Sequence, residues 1–346
     1  MRQVRCSNIE LLRIIASLSV IILHFNFNPA GGGAVEYVSG VEYWFLMVLE
    51  SIGICAVNVF ILISGYFTLK SDKIELGKLL KLLLQTIVFS FSIELFISIV
   101  HGSFSIKQLV LSLLPTNYYV ILYIALMCVA PFINIIISQL GDRSLRYFVI
   151  VLMFLGSVWP TLVDMLEEIS GHEFMGLSTV SLFGSGKGYT IINFMLVYVI
   201  GAYIRKCGLM EENTTKRLLT LLIFQIIAIA VWEKVLSDTA WQYSNPIVIF
   251  EAVSVFLLFK RIRLSSKFIN RIATASFTSY LIHEQLLNCI DYSVLQNVSL
   301  PVLIMFIIAI LVVIYMISIA CTFIWNKISA VLFDRWNDRI PVFIVR

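Results

Sequence analysis

The amino-acid sequence predicts an all-α integral membrane protein, a bundle of about ten transmembrane helices with both termini in the cytoplasm. Three observations carry that prediction. The composition is too apolar for water, the apolar residues fall in runs of spanning length, and the basic residues alternate across those runs. Of 346 residues, 60% are hydrophobic and only 13% are charged, with a mean hydropathy of +0.94. A water-soluble chain carries about 25% charged residues. The polar side chains are too few to cover an aqueous surface, so lipid is the solvent for much of the molecule.

A helix needs about 20 mostly apolar residues to cross some 30 Å of hydrocarbon. Such runs lie near 9–28, 43–66, 78–100, 118–138, 147–163, 188–205, 218–236, 243–259, 268–290 and 299–325. The first contains Arg13 and His24 and lacks a small-residue cleavage site, so it reads as a retained helix rather than a signal peptide. The fifth, sixth and eighth are short and have to stand nearly upright. The ninth is the most polar, and charge rather than hydropathy supports it. With the N-terminus inside, 22 of the 25 basic residues lie on the cytoplasmic side, and only Lys107, Lys187 and Lys234 remain outside. Dropping one span would invert every later loop and spoil this alternation, which is how orientation is written in sequence.

The connections add less. The external stretch 26–42 is rich in glycine, and 164–188 is the longest loop, of a length that is often functional. The tail 328–338 is amphipathic and is expected to lie along the inner interface. The six cysteines (Cys6, Cys55, Cys128, Cys207, Cys289 and Cys321) are scattered singly, without the spacing of a metal site, so no metal is expected. Despite a net charge of +4, no basic patch interleaved with aromatics points to nucleic acid. No phosphate-binding loop, HExxH or GxSxG is present; the external GSGKG at 184–188 lacks phosphate-loop spacing. The lipid bilayer is the one partner composition dictates, and an oligomer is allowed.

Ionisable side chains inside a span cost a few kcal/mol and face a bundle interior or a wet cavity. Arg13, His24, Glu50, Glu94, Glu251 and His283 are such residues, and at about 1.5 Å per residue His24, Glu50, Glu94 and His283 reach a similar depth in the outer half. Eleven residues separate Arg13 from His24, three turns plus about 20°, so both project from one face roughly 16 Å apart in height. The expectation is two depths of one cavity, with a permanent cation at the mouth and an imidazole deeper in. That suits a long ligand with an anionic head and a reactive far end. A guanidinium matches phosphate, and an imidazole can take a proton from an attacking hydroxyl.

At these residues the sequence resembles the bacterial acyltransferase-3 family of integral membrane acyltransferases, of the surface-polysaccharide O-acetyltransferase type. The first span, NIELLRIIASLSVIILHF, matches that family's arginine and histidine with ten residues between them. VNVFILISGYFTLKSDK resembles its SGY or SGF segment, LPTNYYVILYIALMCVAPFIN its fourth span, and SFTSYLIHEQLL its ninth-span motif ending in His283. The resemblance covers nearly the whole chain, as one domain over 1–346. It implies transfer of an acyl group, often acetyl, from cytoplasmic acyl-CoA, here acetyl-CoA, to a hydroxyl of an extracytoplasmic glycan or exopolysaccharide precursor at the cell membrane. Carried over, Arg13 and His24 are the donor-binding and catalytic positions; Glu50, Glu94 and His283, at the depth of His24, are the candidates to orient it or bind the sugar. Ser64, Tyr66, Lys70 and Lys73 follow as donor-binding positions. Lys70 and Lys73 stand where some members have arginine, so they offer phosphate a point charge without the bidentate fork. The competing reading is a secondary transporter or flippase, in which the same carboxylates and histidines would relay protons. No inverted repeat is evident in its support.

Overall fold

The structure, a computed structural model, describes residues 6–28, 31–102, 104–208, 214–333 and 340–345. Within them the chain is almost entirely helical. In a solvent that offers no hydrogen bonds, each backbone amide must be satisfied within its own segment. The helices are α1 (Ser7–Asn26), α2 (Gly40–Gly53), α3 (Ala56–Thr68), α4 (Leu76–His101), α5 (Ile106–Leu111), α6 (Tyr118–Gln139), α7 (Asp142–Met153), α8 (Trp159–Ser170), α9 (Ile191–Cys207), α10 (Thr215–Val235), α11 (Ser237–Ala240), α12 (Pro246–Arg261), α13 (Lys267–Ile272), α14 (Ser276–Leu287) and α15 (Leu300–Phe333). Side-chain caps stand where segments re-enter from polar surroundings. Asn117, Thr190, Thr214 and Asn245 accept from backbone amides at the starts of α6, α9, α10 and α12.

Seven helical stretches among the described residues are long and apolar enough to cross a membrane: Ser7–Asn26, Gly40–Thr68, Leu76–Ile99, Tyr118–Gln139, Asp142–Ser170, Thr215–Val235 and Leu300–Val331. The second is α2 and α3 joined at Gly53–Cys55, and the fifth is α7 and α8 joined through a π-turn at Phe154–Val158. The other three expected spans form the shorter helices α9, α12 and α13–α14, packed inside the bundle.

Side-chain contacts gather the segment ends into two groups at opposite ends of the bundle. At one end Ser266 N donates to Ser7 Oγ (2.9 Å), Asn8 to Phe259 O (3.0 Å), and Arg205 to Tyr66 Oη (3.1 Å). There too Lys206 Nζ bonds Leu140 O (2.5 Å), and Asn134 bonds Ser71 O (2.9 Å). Strands β1 (Lys73–Glu75) and β2 (Val342–Ile344) pair antiparallel at the same end. The basic segments that the sequence places on one side thus share one end of the bundle. Arg2, Arg5, Arg335, Arg339 and Arg346 lie outside the described residues, as does 334–338 of the tail; residues 328–333 simply continue α15. At the opposite end Asn28 meets Asn288 (2.9 Å) and Ser157 bonds Ser244 O (2.6 Å).

The centre is built on α3 and α9. A Cβ at Gly65 would lie 2.0 Å from Tyr198 O, and one at Gly201 would lie 2.3 Å from Leu62 O. Small residues let helices close on one another where lipid supplies no hydrophobic drive. By contrast, only 22%, 17% and 28% of the spanning parts of α4, α10 and α15 are buried, so these helices present leucine, isoleucine and phenylalanine to lipid.

Candidate active site

The bundle brings together α1 and α14, and with them the two intramembrane imidazoles. The rings of His24 and His283 lie 4.7 Å apart, centroid to centroid. His283 is buried, and its Nδ1 lies 2.7 Å from Tyr280 O and 3.2 Å from Ser279 O, one helical turn back. Those carbonyls can only accept, so the hydrogen-bond network assigns the proton to Nδ1 and the lone pair to Nε2. That Nε2 is buried without a hydrogen-bond partner among the described residues. His24 Nδ1 lies 3.2 Å from Glu284 Oε1, off the line of a hydrogen bond. Glu50, from α2, accepts a bond from Asn26 Nδ2 at 2.8 Å, and the same nitrogen reaches Leu46 O at 3.1 Å. His24, His283 and Glu50 therefore converge, as their depths along the sequence imply.

Cavities open on both sides of this cluster. Toward the basic end, a cavity of about 300 Å³ is lined by Glu10, Arg13, Ser64, Tyr119, Tyr123 and Tyr280. A second cavity of about 300 Å³ shares Leu82 and Tyr123 with it and carries Ser71, Lys73, Lys78 and Asn134. Toward the opposite end, a cavity of about 540 Å³ is lined by His24, Glu50, Tyr43, Lys187, Tyr189 and Trp241, among others. Arg13 and His24 thus do not mark two depths of one cavity, as helical spacing alone suggested; they line different cavities. The reason is a row of rings that helix geometry on α1 could not reveal. Tyr119 stands 5.0 Å from Tyr280, Tyr280 stands 5.8 Å from His283, and His283 in turn abuts His24. This row stands between the linings of the two cavities.

The remaining residues of interest scatter. Arg13 NH1 pairs with Glu10 Oε1 at 3.3 Å. Ser64 Oγ lies 3.2 Å from Tyr123 Oη at the inner cavity. Tyr66 lies outside that cavity's lining; its ring sits under Arg205 (5.1 Å) and Lys260 (5.2 Å). Lys70 borders a separate cavity of about 430 Å³ with Asp72 and Lys206. Glu94 is half-buried on α4, away from the lining of the His24 cavity. Glu251 is buried on α12, and neither carboxylate oxygen has a hydrogen-bond partner among the described residues.

Several residues of the site escaped the sequence reading. Glu284 stands next to His283 in SFTSYLIHEQLL, and its adjacency was the available signal. Lys187, from the GSGKG segment set aside above, enters the outer cavity. Asp164 holds that segment in place, accepting from Ser185 N (2.8 Å) and Ser185 Oγ (2.5 Å), while Tyr243 N donates to Lys187 O (3.1 Å). The long connection thereby becomes cavity wall.

The structure is thus a polytopic helical bundle with a histidine pair between two opposed cavities. The chain belongs to the acyltransferase-3 family, whose acyltransferase domain it matches over residues 7–324. It is a multi-pass membrane acyltransferase. No curated protein and no solved structure matches it.

Proposed function

We propose that this acyltransferase moves an acyl group, acetyl in the simplest case, from acyl-CoA to a hydroxyl of an extracytoplasmic glycan or exopolysaccharide precursor. The observation that carries the reading is the histidine pair standing between two cavities of different character. On the basic side, assigned to the cytoplasm of the cell membrane by the charge alternation, Arg13, Lys73 and Lys78 offer cations to an anionic donor. The two narrow adjoining cavities suit a slender thioester arm reaching toward Tyr280. On the other side, Tyr43, Tyr189, Trp241 and Tyr243 give flat apolar faces, with Asp238 and Gln242 among them as hydrogen-bonding groups. That mixture suits a sugar, which has apolar C–H faces and hydroxyl edges.

In this mechanism the Glu284 carboxylate, 3.2 Å from His24 Nδ1, turns into line to hold a proton there, which leaves Nε2 as the base. Nε2 takes the acceptor proton as the hydroxyl oxygen attacks the thioester carbonyl carbon. The carbon–sulfur bond breaks, and the departing thiolate recovers the proton. A transient acyl-histidine would divide the same reaction into two steps. The test incubates purified protein with acetyl-CoA and an oligosaccharide, following release of free thiol and the mass gained by the acceptor. Coupled thiol release and acetylation support the reading. No transfer from any acyl-CoA, with glycan translocation in proteoliposomes, would instead establish the transporter.

A further inference from the structure

The chemistry of the histidine pair goes beyond proton transfer. We infer that His24, His283 and Glu284 form a binding site for one divalent transition-metal ion of the zinc class. The potential ligand atoms of the three side chains all lie within 4.8 Å of one another. Two separate features point to a ligand. His283 is only 1% exposed, and its Nε2 carries a lone pair toward no partner among the described residues. His24 Nδ1 is likewise buried without an in-line hydrogen bond, although a carboxylate oxygen stands 3.2 Å away. Two neutral imidazole nitrogens and one carboxylate oxygen are a donor set that Zn²⁺ takes readily, with water in the fourth position.

The outer contacts fit as well. A metal-bound histidine ordinarily donates its other N–H to a carbonyl or carboxylate, which fixes the ring and its tautomer. His283 already makes that bond, from Nδ1 to Tyr280 O. Tetrahedral ligands at about 2.0–2.1 Å from zinc stand roughly 3.3 Å apart, so small side-chain rotations close the cluster. The ligands come from α1 and α14, helices packed directly on each other, and the outer cavity that His24 lines gives the ion an entry path.

A bound ion would occupy the lone pair of His283 and pull His24 away from its base geometry. Zinc should therefore switch off acyl transfer; this consequence, unlike binding itself, rests on the proposed function. The test titrates purified full-length protein in detergent with ZnCl₂ by calorimetry, and with CoCl₂ by visible absorption. Binding of a single ion, with the intense ligand-field bands of four-coordinate Co²⁺, is expected. His283→Ala and Glu284→Gln should each weaken it at least about tenfold, while His172→Ala leaves it unchanged; matching thermal melts establish that the variants fold. Absence of the bands, or equal affinity in parent, His283→Ala and Glu284→Gln, overturns the site. Tight binding with undiminished transfer overturns the switch alone. If the parent shows no transfer without metal, the acyl-transfer reading fails while the binding result still stands.

Discussion

The Nδ1 of His24 and the Oε1 of Glu284 approach to 3.2 Å across the α1–α14 contact. A histidine near the end of one helix thereby faces a carboxylate from a helix far along the chain. If that carboxylate positions the ring, Glu284→Gln should lower kcat by at least about tenfold while leaving KM for the acyl donor nearly unchanged. Glu284→Asp should recover part of the loss. Equal falls in thermal stability and activity, without a split between kcat and KM, would reduce Glu284 to a packing residue.

For His24 itself, the substitution to Gln retains polarity and approximate size but cannot take up a proton. Transfer should fall by about 10²–10⁴-fold, with donor binding and thermal melting close to those of the parent. Activity within about threefold of the parent would shift the role to His283, whose Nε2 has no hydrogen-bond partner among the described residues.

Arg13 lines the inner cavity, and the one ion pair it makes among the described residues, with Glu10, leaves donors to spare. Arg13→Ala should weaken acyl-CoA binding by roughly 1.5–3 kcal/mol, and Arg13→Lys should restore part of it. Unchanged affinity by calorimetry would remove Arg13 from the donor site.

Two native cysteines report sidedness. Cys6 and Cys289 are both exposed, at opposite ends of the bundle. In single-cysteine variants on intact cells, an impermeant maleimide should label Cys289 and reach Cys6 only after permeabilisation. The reverse pattern would invert the topology and, with it, the sides of donor and acceptor.

At Gly65, alanine would drive a methyl group into the carbonyl of Tyr198. Overpacking of this kind typically costs about 1–3 kcal/mol, so Gly65→Ala should melt at lower temperature in detergent. Gly156→Ala is the control, because its nearest neighbour would be the end of the Leu196 side chain at 3.4 Å.

Much of the fold was legible because a bilayer admits few solutions. Run length marked the helices, seven of which are long and apolar enough to cross a membrane; the ninth run, the most polar, folds as α13–α14 and supplies His283. Depth arithmetic grouped His24, His283, Glu50 and Glu94, but Glu94 stands on α4 away from the lining of the His24 cavity, because depth alone does not say which way a helix faces. Single-helix geometry could not show what stands between Arg13 and His24, since Tyr119 and Tyr280 come from α6 and α14. Nor could it foresee that Asp164 folds a loop inward to bring Lys187 to the cavity. Both are contacts between distant segments, and such contacts leave little trace in local pattern. The SGY segment shows the opposite case, a motif whose glycine serves packing while its neighbour Ser64 faces the cavity.

The paired approaches of Gly65 to Tyr198 and Gly201 to Leu62 have a mechanical meaning. Each helix lends the other a notch for its carbonyl, so α3 and α9 mesh like two keyed shafts. A slide of one residue along either axis would drive a side chain against backbone. Piston-like travel between these two helices is thereby barred. The less buried helices α4, α10 and α15 carry no such key in their lipid-facing surfaces, so the fixed spindle of the bundle is the α3–α9 pair.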